Sequence, residues 1–259
     1  MDRLQVLFVG NSFSVDTAQH AADVALSMGI KQVKICVLYV GGCSLDMHYQ
    51  HASENLPVYV YHQNEGEGWT ETPDHTIDTA VAAEDWDWIV IQHGTTGGSR
   101  NTSPECYTKL EPLIDHIKAL APAHTRIAFN MTWLGEHTRQ HHEILSYKGD
   151  MVAMRKALIE TMKVTVLATP KVELLIPTGT AVENARTSGI GLLTRDCYHL
   201  SVDKGRFIAA LTFISSITGL APATVQWVPE GVDDYAKRVA IESAENAIKA
   251  PLAITRSVL

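Results

Sequence analysis

The 259-residue chain has no run of lysine and arginine, no apolar stretch long enough to span a bilayer and no closely spaced cysteine pair. Each absence excludes something. With a formal net charge of -8 and no basic segment to neutralise phosphates, a nucleic-acid partner is not expected. Without a long apolar run there is no membrane span. Met1-Asp2-Arg3-Leu4 enters an apolar segment that ends at Gly10-Asn11, too soon for a signal peptide with its cleavage site. The chain therefore reads as cytoplasmic, unless a leader has been removed. Cys36, Cys43, Cys106 and Cys197 are scattered and read as reduced thiols rather than metal ligands. No phosphate-binding loop, His-Glu-x-x-His or Gly-x-Ser-x-Gly elbow occurs. Among the twelve histidines, His48 with His51, and His137 with His141 and His142, are the only suggestive groupings. Neither has an acid at convincing ligand spacing, so no metal or other cofactor is expected.

What is present is an ordinary globular composition, 46% hydrophobic and 19% charged, in a chain long enough to bury a full core unaided. Apolar runs at Leu4–Val9, Val33–Val40, Trp86–Gln92, Arg126–Met131 and Val172–Ile176 read as strands. Helical spacing appears over Thr17–Met28, Pro104–Leu120, Met151–Val164, Lys204–Thr218 and Asp233–Ile248. Such alternation predicts one α/β domain over residues 1–259, a parallel sheet with helices on both faces. Residues 55–72 break the alternation and read as an inserted hairpin or lid. Ligands bind such sheets at the carboxyl ends of the strands. Three of those ends carry Gly10-Asn11-Ser12, Gly41-Gly42 and Gln92-His93-Gly94.

Ser12 stands between a strand and a helix, where serine commonly caps; Ser14 or Asp16 would cap equally well. Far downstream, Asp196-Cys197-Tyr198-His199 sets an acid three residues before an imidazole. One turn there would hold the carboxylate on Nδ1 and leave Nε2 to face a hydroxyl, as activation of a serine requires. The plain alternative has Asp196 capping a helix near Val202, with His199 incidental.

As an ordered pair, Gly10-Asn11-Ser12-Phe13-Ser14 and Arg195-Asp196-Cys197-Tyr198-His199-Leu200-Ser201 resemble the end blocks of the SGNH/GDSL hydrolase superfamily. The resemblance runs from Val9 to about Leu211. It is to the branch long labelled only as a domain of unknown function, similar to carbohydrate esterases. It implies a three-layer α/β/α fold with a flavodoxin-like parallel sheet of about five strands. It also implies Ser12 as nucleophile, His199 as general base and Asp196 as the acid that orients it. By the same resemblance the oxyanion hole takes the backbone N–H of Ser12, that of Gly42 (Gly41 being the alternative) and a side-chain amide. The chain departs from the pattern at the last. Gly94-Thr95-Thr96-Gly97 lacks the usual asparagine, and Gln92 is the candidate substitute. Trp133, Arg186 and His93 are candidate substrate contacts, each with a bland alternative in packing, ion pairing or solvent exposure.

The activity expected is hydrolysis of short acyl esters, acetyl foremost, on a small-molecule or oligosaccharide substrate, through an acyl-enzyme and without a cofactor. Three alternatives stand beside it: a lipase or thioesterase for longer acyl groups, a non-catalytic sugar-binding module, and a metal-dependent hydrolase. Nothing in the sequence indicates the oligomeric state.

Overall fold

The computed structural model describes residues 2–94, 101–136 and 145–259. Its spine is β1 (Arg3–Gly10), whose eight residues read Arg-Leu-Gln-Val-Leu-Phe-Val-Gly and are buried from the second onward. A strand so uniformly apolar needs cover on both faces. β1 lies in parallel between β2 (Gln32–Tyr39) and β5 (Trp88–Gln92). β6 (Arg126–Asn130) and β7 (Leu174–Ile176) extend the sheet in the same sense. The full order is β4-β3-β2-β1-β5-β6-β7. Its parallel part is the expected five-stranded, flavodoxin-like arrangement.

The other two strands form the segment read as a hairpin or lid. β3 (Tyr59–Asn64) and β4 (Trp69–His75) pair antiparallel with each other, and β3 pairs antiparallel with β2. The hairpin is thus the outer edge of the sheet, making seven strands rather than five. Tyr59 and Tyr61 point into the core shared with Leu38, which fixes its register.

Side chains of successive strand residues alternate between two cores. Val6 and Phe8 face the layer of α1 (Ser12–Ala18), α2 (Ala21–Ser27), α7 (Thr178–Arg186), α8 (Lys204–Thr218) and α9 (Asp234–Lys249). Leu7 and Val9 face α3 (Leu45–Ser53), α4 (Ile77–Ala82), α5 (Leu110–Leu120) and α6 (Met151–Val164). The single helix expected over Thr17–Met28 is two helices, broken at Gln19-His20. There the Gln19 carbonyl accepts the Trp69 indole N–H at 3.1 Å, and the His20 ring bonds the Val202 carbonyl at 2.7 Å. Among the described residues no helix is long and apolar enough to cross a membrane.

Gly10 pairs with Tyr39 and Gln92 with Asn130, so four neighbouring strands end nearly level. The candidate site is built on that rim.

Candidate active site

Asn11, rather than Ser12, is the cap of α1. Its Oδ1 accepts the Phe13 N–H at 3.0 Å, as a helix N-cap should. Its Nδ2 donates to the Cys43 carbonyl at 2.9 Å. Ser12 is the first helical residue, and its hydroxyl is left to another partner. That partner is the ring of His199, whose Nε2 lies 2.9 Å from Ser12 Oγ across 187 residues of sequence. On the far side of the ring, Nδ1 lies 2.6 Å from Asp196 Oδ2.

The turn that presents the acid and the imidazole is held by the acid itself. Asp196 Oδ1 accepts the N–H groups of His199 at 2.7 Å and Tyr198 at 3.0 Å. Closing so tight a loop puts Cys197 at φ 64°. Asp196 therefore does not cap a helix. Its partial burial pushes the carboxyl pKa up, but the His199 ring and the two amides outweigh that and hold it below the ordinary value. The carboxylate is the stable form, as an acceptor from the imidazole must be.

From below, the turn rests on aromatic rings. Phe13 packs against Trp133 at 4.7 Å and against Tyr198 at 4.8 Å between centroids. The Trp133 indole N–H donates to the Tyr198 carbonyl at 2.7 Å, and the Glu136 N–H to the Cys197 carbonyl at 2.8 Å. From the side, the turn is held by Asp16, one helical turn after Ser12, with its side chain 1% exposed. Its Oδ2 accepts the Leu200 N–H at 2.8 Å. Its Oδ1 accepts from Arg195 Nη1 at 3.0 Å and Arg206 Nε at 2.8 Å. The sequence offered Asp16 only as a possible cap. Its i,i+4 relation to Ser12 puts both on one helix face, but the spacing carries no signal of the distant partners that it holds.

Gly42 is the third residue of a turn closed by the Cys43 N–H on the Val40 carbonyl at 3.3 Å. Its φ of 65° favours glycine there. The Asn11 amide on the Cys43 carbonyl ties this turn to the start of α1. Gln92 is fully buried, and neither end of its amide has a hydrogen-bond partner among the described residues. It lies under the first turn of α1, where a β-carbon on Gly10 would sit 3.0 Å from its Nε2 and 2.0 Å from Ser14 Oγ. Gly94 is pressed against Asn11, since a β-carbon there would come within 2.3 Å of Asn11 Nδ2. Thr95, Thr96 and Gly97 of that loop lie outside the described residues, as do His137, His141 and His142.

Three candidate substrate contacts are corrected by their surroundings. Trp133 is 1% exposed and cannot offer a face to a sugar, because its ring fills the core beneath the turn. Arg186 has its guanidinium occupied by Glu183, by Glu136 at 3.0 Å and by the Leu134 carbonyl at 3.0 Å. It supports the site from behind. His93 is 1% exposed, packs on Tyr107 at 4.9 Å, and is driven by burial down to a pKa of about 4. It neither faces solvent nor lines the site. His48 is likewise buried, with Nδ1 2.8 Å from the Tyr59 hydroxyl, which His51 Nδ1 approaches to 3.3 Å. Among the described residues no group of three metal-ligating side chains converges.

The family model of a domain of unknown function, DUF4886, matches residues 5–247. The chain belongs to the DUF4886 family. A crystal structure of another DUF4886 family protein, from Bacteroides uniformis ATCC 8492, is 32% identical and superposes with a TM-score of 0.92 over 98% of both chains. A catalytic mutant of an acetylxylan esterase from Geobacillus stearothermophilus is 15% identical, with a TM-score of 0.50 over 88% of this chain and 97% of that one. A member of the lipolytic protein G-D-S-L family from Veillonella parvula DSM 2008 is 12% identical, with a TM-score of 0.49 over 95% and 99%. No curated protein matches this DUF4886 chain. The α/β fold implied by the SGNH/GDSL resemblance is the fold this DUF4886 protein has, and it shares that fold with the acetylxylan esterase.

Proposed function

We propose that this protein is a serine esterase that hydrolyses short acyl esters, acetyl foremost, carried on a carbohydrate. The observation that carries the reading is the unbroken hydrogen-bonded chain Ser12–His199–Asp196, at 2.9 and 2.6 Å, closed between the two ends of the sequence. Nucleophile, base and orienting acid in that order are the parts of acyl transfer through a covalent intermediate.

In the first step His199 Nε2 takes the Ser12 proton as Oγ attacks the ester carbonyl. The resulting oxyanion is met by the N–H groups of Ser12 and Gly42. His199 then passes its proton to the departing alcohol oxygen, leaving acyl-Ser12. Water repeats the sequence: its proton goes to His199, its oxygen to the acyl carbon, and Ser12 leaves with the proton returned. Asp196 keeps Nδ1 protonated throughout. Gln92 is not counted among these donors, because its amide is as closed off from the surface as Trp133 and His93. Removing one such donor costs about 2.7–4 kcal/mol of transition-state stabilisation. The acetyl and carbohydrate parts are supported by fold likeness to an acetylxylan esterase.

The test is a fluorophosphonate probe followed by p-nitrophenyl esters of increasing length. Ser12 should be the labelled residue, and Ser12→Ala should abolish both labelling and turnover. Rates should fall from acetate to octanoate, and acetylated oligosaccharides should be deacetylated. Absence of labelling in the folded protein would leave a non-catalytic module. Rates that climb with chain length would favour a lipase or thioesterase.

A further inference from the structure

We infer that Asp16 is a positioning residue that locks the imidazole of His199 onto Ser12, acting through the backbone of Leu200 and the side chains of Arg195 and Arg206. The inference rests on the esterase reading of the Ser12 site and adds to it a residue outside the triad.

The geometry is a two-point attachment. α1 is short, and Ser12 and Asp16 are one turn apart on the same side of it. Ser12 Oγ meets the ring of His199, and Asp16 Oδ2 meets the main-chain N–H of the next residue, Leu200, at 2.8 Å. Trp133 and Glu136 hold residues 197 and 198 of the turn, and the Ser12 and Asp16 contacts act on residues 199 and 200. Together they fix both the position and the tilt of residue 199 relative to the hydroxyl. Asp16 also holds Arg195, the residue immediately before Asp196, and Arg195 in turn reaches the Leu200 carbonyl. The turn is thereby pinched shut between residues 195 and 200, whose flanks Thr194 and Leu200 form an antiparallel bridge. Arg206, from the first turn of α8, completes the clamp on Oδ1 at 2.8 Å.

A purely structural ion cluster is the competing account, and burial alone does not decide between them. Replacing both charges of a buried pair by apolar groups is often neutral for stability. Retaining Asp16 with two arginines therefore calls for a reason beyond stability. Angular tolerance at a hydroxyl–imidazole contact supplies one, since small misplacements there cost rate steeply.

The experiment compares wild type, Asp16→Asn and Asp16→Ala, with Lys34→Met as the control. Lys34 pairs with Glu65 and Glu84 at the opposite end of the strands. Four quantities are read: thermal midpoint, kcat and KM for p-nitrophenyl acetate, fluorophosphonate labelling rate, and the downfield proton resonance of the His199 Nδ1–H···Asp196 bond. Asp16→Asn keeps an acceptor for Leu200 and loses the charge; kcat should fall roughly 10-fold with KM within twofold. Asp16→Ala should fall roughly 100-fold, with the labelling rate in step and the downfield resonance broadened or lost. Lys34→Met should lower the midpoint and leave the other three readings unchanged. If Asp16→Ala does not fold, Asp16→Asn carries the comparison. Unchanged kcat, labelling and resonance in a folded Asp16 variant would reduce Asp16 to a structural anchor and overturn the inference. A wild type that neither labels nor turns over would instead overturn the esterase reading. The resonance would then still report whether Asp16 positions His199.

Discussion

At the scale of single residues, the site is a chain of oriented contacts in which each member depends on the next. Asp196→Ala and His199→Ala should each remove most of what Ser12→Ala removes, on the order of 10⁴–10⁶ in kcat, and the double variants should lose little more. Turnover of Asp196→Ala within tenfold of wild type would mean that another acceptor holds Nδ1. The grouping of Ser12, Asp196 and His199 was legible in the sequence from the ordered pair of end blocks rather than from either local spacing alone, and the fold brings the three side chains into hydrogen-bond contact. Trp133, Arg186 and His93 were not legible. What each does is decided by exposure, which sequence does not print. Trp133 and His93 turn out to be buried supports, and Arg186 is taken up by carboxylates. Asp16 was misread for a related reason. Its partners Leu200 and Arg206 lie 184 and 190 residues away, so only the folded chain shows that it clamps rather than caps.

At the scale of elements, the site depends on how two loops are stitched at the rim of the sheet. Asn11 does the stitching, capping α1 with one end of its amide and gripping the turn of Gly42 with the other. Asn11→Ala should therefore cost about 1 kcal/mol in stability through the lost cap. It should also lower kcat/KM by more than that stability loss explains if the Gly42 turn serves the proposed oxyanion site, because that turn is no longer tied to α1. Asn11→Ser, which can still cap but cannot span to Cys43, separates the two effects: near-normal stability with reduced kcat/KM is the expected outcome. Equal kcat/KM for Asn11→Ser and wild type would deny the bridge a role. The long strands and the last two helices were legible from periodicity. α3, α4 and α7 were not, being six to nine residues long. Too few turns repeat in them for a pattern to stand out, and α4 is capped by Thr76 with Thr79 rather than by the usual glutamate.

At the scale of the whole molecule, the neutral state of the buried histidines ties folding to pH. Burial drives His93 to a pKa of about 4 and His48 to about 3, with the nearby His51 and His93 adding to the effect on His48. Both values lie below the ordinary ~6.5 of an unfolded chain. Between those limits the unfolded state binds more protons, so stability falls as pH falls. The contribution is complete above about pH 6.5 and is lost progressively toward pH 4 and below. His20, His51 and His62 shift the same way. The urea midpoint should be flat above pH 7 and decline from pH 6.5 to 4.5, as the unfolding free energy falls by up to ~1.4 kcal/mol per pH unit for each ring that stays neutral in the fold. A midpoint that held constant over that interval would mean that these rings are protonated in the folded state.

The hairpin that closes the sheet has a further consequence, for how copies of the chain meet one another. A bare strand edge is a template on which a second molecule can add its own strand. Here Glu71, Pro73 and Asp74 of β4 are exposed on one border, and β7 is only three residues long on the other. Pro73 has no N–H to offer, the two carboxylates would face their own images, and three residues are too few to recruit a partner strand. The parallel strands that hold Ser12 in register are thus shielded at both borders from the edge-to-edge association that leads to aggregation. The protein should stay dispersed at concentrations where a sheet ending at β2 would not.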